Sequence, residues 1–142
     1  HRDGRDYVPA VYEVLTDDEW QLMEEWYAET AAIGAVGEWN PPAMSLIHGF
    51  VNGGGLSRVA QIGHYHGYSA LLVGFWLRAM GGDRLLVSAD IDAQATAFTQ
   101  RYVDRAGLRD HVRLLVCDAS TEAGIEQIVA ALGGRMPELI QR

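Results

Sequence analysis

The chain has 142 residues, 49% of them hydrophobic, and a formal net charge of −8, which is length and apolar content enough for one core of its own. The acidic balance, with eleven scattered arginines and no lysine, excludes sequence-independent nucleic-acid binding, which needs clustered positive charge. The single Cys117 excludes an intramolecular disulfide, and with no signal peptide or membrane-spanning run visible, a cytoplasmic protein that meets neither nucleic acid nor membrane is expected.

Residues 1–55 read as a helical region ahead of the sheet. Thr16-Asp17-Asp18-Glu19 is a capping-box pattern, in which Thr16 caps the helix and Glu19 bonds back. Trp20, Met23, Trp26, Tyr27 and Thr30 follow at helical spacing, and Gly34 and Gly37 end the run. Trp39-Asn40-Pro41-Pro42 restarts the chain as a second helix through Phe50, and Asn52-Gly53-Gly54-Gly55 reads as a flexible link. The aromatic residues Trp20, Trp26, Tyr27 and Trp39 are expected in a core or interface, with an acceptor-binding surface as the alternative.

The stretch Arg58–Ser69 carries the most information. Val59, Ala60 and Ile62 form a short buried strand, and Gly63 and Gly67 bracket the loop His64-Tyr65-His66. Glycine at both ends permits positive φ and close approach of a ligand to the backbone. Ser69 then opens an apolar helix carrying Ala70, Leu71, Leu72, Phe75, Trp76, Ala79 and Met80, whose first free amides face the loop. After Gly81-Gly82, the strand Leu85–Ala89 ends in Asp90-Ile91-Asp92. An acid at that tip is placed to accept hydrogen bonds from ribose hydroxyls, so the order strand, loop, helix, strand, acid describes a ligand containing adenosine. The spacing G-x-x-x-G lacks the close glycine pair of G-x-G-x-x-G and suits a ligand without phosphates better than a dinucleotide. His64 and His66 have no carboxylate or cysteine partner nearby in sequence and are expected to shape the pocket, not to bind a metal.

Farther on, Asp92 caps a helix over Ala93–Ala106 with Ala95, Phe98, Tyr102 and Ala106 inward. Val112–Cys117 reads as the third strand, with Cys117 as inert packing at its buried end. A helix from Thr121 to Leu132 carries Ile125, Ile128, Val129 and Leu132 inward and closes at Gly133-Gly134, and a fourth strand begins at Pro137-Glu138-Leu139-Ile140. Strands alternating with helices predict an α/β fold, a doubly wound parallel sheet with right-handed crossovers, over residues 56–142. A sheet this short leaves an edge and a face uncovered, so a homodimer or aggregation is expected.

Gln61-Ile62-Gly63-His64-Tyr65-His66-Gly67-Tyr68-Ser69-Ala70 resembles the first motif of class I S-adenosylmethionine-dependent O-methyltransferases, close to the catechol O-methyltransferase group, where it reads roughly E-x-G-x-Y-x-G-Y-S. The likeness continues through Arg84-Leu85-Leu86, Asp90-Ile91-Asp92, Ala106–Asp110 and Asp118-Ala119-Ser120. It implies a Rossmann-like three-layer α/β/α fold. It also implies that Gly63 and Gly67 let the loop pass under the methionine part of the cofactor, that Tyr65 and Ser69 contact its amino and carboxylate ends, and that His64 shapes the pocket. Asp90 would hold the ribose, Ile91 would lie against adenine, and Asp118, Ala119 and Ser120 would edge the ring. Asn40 and Met44 fall where the family covers the methionine end. Gln61 departs from the family's acid and lacks the charge that would favour an ammonium. By the same likeness, the aspartate that ends the fourth strand and binds magnesium in metal-dependent members falls just beyond Arg142. The chain is therefore expected to be a fragment without the later strands, metal ligands or catalytic base.

The resemblance implies methyl transfer from S-adenosylmethionine to an oxygen of a small molecule, an in-line displacement in which alignment is the protein's main contribution. Two alternatives stand beside it: a module that binds S-adenosylmethionine or its product without turnover, and an NAD-dependent oxidoreductase on the same sheet.

Overall fold

The computed structural model describes residues 7–35, 37 and 40–142; Trp39 of the expected aromatic cluster lies outside them. A short helix α1 (Ala10–Glu13) is followed by α2 (Asp17–Ala32), whose capping box forms as the sequence predicts. Thr16 Oγ1 accepts from the Glu19 amide at 3.3 Å, and a Glu19 carboxylate oxygen accepts from the Thr16 amide at 2.7 Å. Helix α3 (Pro41–His48) starts at Asn40, whose side-chain oxygen accepts from the Ala43 amide at 3.0 Å. The predicted flexible link is in part helical: α3 runs on into a π turn over Gly49–Gly53. Val51 in that turn is fully buried, and winding the backbone one more turn puts its side chain inside while keeping the amides bonded.

Four parallel strands, β1 (Arg58–Ile62), β2 (Leu85–Asp90), β3 (Val112–Val116) and β4 (Leu139–Gln141), lie in the order β3-β2-β1-β4. Val59 sits in register with Leu86 on one side and Leu139 on the other, and Leu86 with Val112. Those residues share one face of the sheet, covered by α4 (Tyr68–Met80) and α5 (Ala93–Arg105). Helix α6 (Glu122–Ala131) covers the opposite face, over Ala60, Val87 and Ala89. This is the Rossmann-like arrangement that the alternating elements predict. The return strand is fastened at its start, where a Glu138 carboxylate oxygen accepts from the Ser57 amide at 2.6 Å and the Arg58 amide at 2.8 Å.

Helix α4 is buried on all sides from Tyr68 to Leu77, as a helix apolar all round must be. One side meets the sheet and the other meets the N-terminal helices, so a single buried cluster runs from Val11 to Val112. Polar handles on the aromatic rings fix that packing: Trp76 Nε1 donates to the Val11 carbonyl at 2.9 Å, and the hydroxyls of Tyr12 and Tyr68 are 2.6 Å apart. Trp20 and Trp26 are core residues and Tyr27 packs against them.

Two helices turn differently from their apolar pattern. In α5 the buried residues are Ala95, Thr96, Thr99, Tyr102 and Val103, with Phe98 and Ala106 half-buried. The two threonines can face inward because their hydroxyls bond to α5 carbonyls, of Asp92 at 2.8 Å and Ala95 at 2.9 Å. In α6 Ile128 and Leu132 are buried but Ile125 is 50% exposed. Gly124 faces inward instead, so close to the Asp118 carbonyl that a Cβ would lie 2.0 Å from it. The α6 face of the sheet is thinly covered at β4, where Ile140 is 58% exposed, and Val116 at the end of β3 is 52% exposed on the other face. Among the described residues no helix is long and apolar enough to cross a membrane.

Candidate functional site

The loop after β1 has the backbone that its glycines require. Gly63 and Gly67 sit at φ 81° and 90°, and Tyr65 between them also takes a positive φ of 47°. Beside Gly63 no described residue lies within 4 Å of where a Cβ would be, which leaves room there for a ligand. Gly67 is constrained for the opposite reason, since a Cβ there would lie 2.3 Å from Thr99 Cγ2. The Tyr65 conformation is held by its amide donating to Asp90 at 2.8 Å and its carbonyl accepting from Thr99 Oγ1 at 3.1 Å.

His64 supports the loop from beneath. It is 3% exposed, with Nδ1 3.1 Å from Ser88 Oγ and Nε2 3.0 Å from Thr96 Oγ1. Because the Thr96 hydroxyl donates to the Asp92 carbonyl, it must accept from Nε2–H, which leaves Nδ1 to accept from Ser88. Burial lowers the pKa of the ring, against the opposing charges of Asp90 and Asp92, so the neutral tautomer is the one this geometry needs. Both ring nitrogens are thus engaged within the protein.

Asp90 joins the loop to the end of β2. One carboxylate oxygen accepts from the Tyr65 amide and the other from the Asp92 amide at 2.9 Å. Burial pushes its pKa up, but the amides of Asp92 and Tyr65 outweigh it and leave the carboxyl below its usual value. Each oxygen keeps a lone pair for a further donor.

Gln61, also buried, donates from Nε2 to Ser69 Oγ at 2.5 Å and to the Gly63 carbonyl at 3.2 Å. Among the described residues its Oε1 has no partner, nor has either amide atom of Gln141, its register neighbour on β4.

Above the carboxyl ends of the strands is a crevice of about 270 Å³, walled by Ile62 and Gly63 at the end of β1, Ala89–Ile91 at the end of β2, Cys117–Ser120 after β3, and Arg142. This is where an open parallel sheet takes its ligand, and the volume suits one nucleoside. The structure therefore brings Gly63, Asp90, Ile91, Asp118, Ala119 and Ser120 together in one wall. Gln61, His64, Gly67 and Ser69 lie in or under the loop, and Tyr65 is 42% exposed on top of it. Asp118 shapes the third corner, accepting from the Ser120 hydroxyl at 2.6 Å and the Ser120 amide at 2.9 Å. Met44 is fully buried in the core, and Asn40 serves as the cap of α3.

Ile62, Ala89, Cys117 and Arg142 complete this wall without a motif that marks them in the sequence. Cys117 is half-buried, not fully buried: it packs against the cluster under α6 and also lines the crevice, its pKa pushed up by burial and by Asp118. Its place after a third parallel strand, level with Asp90, was the available signal.

The family described as O-methyltransferase matches residues 21–133. No curated protein sequence matches the chain. Among solved structures, the O-methyltransferase from Bacillus cereus in complex with SAH is similar at a TM-score of 0.62 and 18% identity, covering 91% of this chain and 56% of its own. The SAH-bound methyltransferase from Podospora anserina is similar at a TM-score of 0.55 and 16% identity, covering 84% and 58% respectively. The chain thus spans a little over half the length of these two structures.

Proposed function

The chain belongs to the O-methyltransferase family, and from that premise we propose that the protein transfers a methyl group from S-adenosylmethionine to an oxygen of a small molecule. The observation that carries this reading is the crevice at the strand ends with the Asp90 carboxylate beside an open, glycine-bracketed loop. S-adenosylhomocysteine (SAH) in two solved structures of the same fold supports the cofactor class.

In this reading Asp90 accepts from the ribose hydroxyls, Ile91 lies against adenine, and Asp118, Ala119 and Ser120 edge the ring. Gly63, Tyr65, Gly67 and Ser69 take the methionine part, with the His64 ring holding the loop from below. The free Oε1 of Gln61 is an acceptor for the ligand's ammonium, weaker than the acid it replaces. When bound, the sulfonium supplies the methyl for in-line displacement; this chain's residues bind it, orient it and keep the loop in place. Residues 1–55 act as a helical cover and residues 56–142 as the cofactor-binding half. A cytoplasmic location and self-association as a homodimer belong to the same proposal.

Among the described residues no group of three or more His, Cys, Asp or Glu side chains is placed to hold a metal ion. The alternative reading is a module that binds S-adenosylmethionine or its product without turnover.

Calorimetric titration with SAH, with NAD as control, tests the cofactor. Saturable binding of SAH alone is expected; binding of NAD instead, or of neither by folded protein, refutes the reading. Transfer of labelled methyl to small hydroxylated acceptors by the whole protein then separates the enzyme from the binder.

A further inference from the structure

The cofactor loop is gripped from two sides, and one of them belongs to the N-terminal helices. On the sheet side stand Asp90 and Thr99, with hydrogen bonds to the amide and carbonyl of Tyr65. On the far side is Trp26 of α2, forty residues earlier in the chain, whose indole N–H donates to the His66 carbonyl at 2.7 Å. Trp26 is 2% exposed, so its N–H has little access to water and this bond satisfies it. The next residue but one, Tyr68, packs on the Trp26 ring with centroids 5.5 Å apart. Helix α2 therefore holds the junction of loop and α4 through the Trp26 hydrogen bond and through the rings of Trp26 and Tyr27, both packed on Tyr68.

That grip matters because the loop's backbone is unusual. It takes positive φ at Gly63, Tyr65 and Gly67, and no side chain caps the start of α4. A loop of this kind holds one conformation only where its surroundings impose it. We infer that Trp26 is a positioning residue for the methyl donor: through the His66 carbonyl it keeps the loop in the conformation that meets the methionine part of the ligand. The inference rests on the cofactor reading above. It separates two halves of the site, because the crevice that takes adenosine is built from the ends of β1, β2 and β3 and does not depend on α2.

The test compares the unchanged protein with Trp26→Phe, which keeps a ring and removes the N–H. Trp20→Phe serves as control, since the Trp20 indole bonds to Glu24 within α2. With SAH and adenosine as calorimetric probes, Trp26→Phe weakens SAH about five- to tenfold, as one hydrogen bond's control of the binding-competent loop population implies. Adenosine affinity stays within about twofold, and Trp20→Phe changes neither ratio. An SAH affinity equal to that of the unchanged protein, or an equal loss for SAH and adenosine, overturns the inference. Hydrogen exchange without ligand reads the grip directly: amides from Gly67 to Ala70 exchange faster in Trp26→Phe, and unchanged exchange overturns it. If the unchanged protein binds no SAH, the cofactor reading falls, and the exchange result still decides whether Trp26 holds the loop.

Discussion

Asp90 and His64 show how much one side chain is asked to do in this site. Asp90 satisfies two loop amides and faces the crevice, so Asp90→Asn removes the charge from both tasks at once. SAH affinity is expected to fall at least tenfold, roughly the worth of a charge-assisted hydrogen bond, with unchanged calorimetric affinity refuting the ribose role. His64 carries a pH signature. Its folded pKa lies below the ordinary histidine value because the ring is buried, so between the two values the unfolded chain binds the extra proton. Stability is therefore full above about pH 6.5 and is lost as pH falls below it toward the folded pKa. Thermal melts between about pH 7.5 and 5 should show a falling midpoint, and His64→Asn should flatten part of that fall. His48, whose pKa burial also lowers, contributes with the same sign in both proteins. Of these two residues, the place of Asp90 at the crevice was legible in the sequence from its position at the tip of the second strand. The structural role of His64 was not, because its partners Ser88 and Thr96 lie on other elements and carry no motif.

Among the elements, those with end signals were read well and those governed by contacts were not. The capping box at Thr16, the stop at Gly107 and the helix start at Asp92 are local chemistry, and all form as expected. The π turn at Gly49–Gly53 and the inward threonines of α5 depend on what lies opposite, which apolar periodicity does not register. Gly124 is the sharpest case. A glycine inside a helix ordinarily costs about 1 kcal/mol relative to alanine, yet here alanine would meet the Asp118 carbonyl at 2.0 Å. Gly124→Ala is therefore expected to lower the melting temperature and to weaken SAH by displacing the Asp118–Ser120 corner. A gain in stability with intact binding would show that α6 can slide away without disturbing that corner.

For the molecule as a whole, alternation of strands and helices made the parallel sheet legible, while the sharing of one core by the N-terminal helices and α4 was not, since aromatic spacing does not say what a helix packs against. The α6 side exposes Ile140 and Ile125, Val116 is exposed at the end of β3, and β3 and β4 are the outer strands of the described sheet. Apolar surface beside open edges favours self-association, and a net charge of −8 opposes it. Apparent mass by light scattering should rise with protein concentration and rise further with added salt, which screens the repulsion; a monomer under every condition would refute the homodimer proposal. The return of β4 to the side of β1 also sets a timetable. Glu138 meets Ser57 and Arg58 across eighty or so residues, so the central strand leaves the ribosome long before its second neighbour is synthesised. Closing that long span carries a loop-closure cost that the β1–β2 pairing, nearer in sequence, does not.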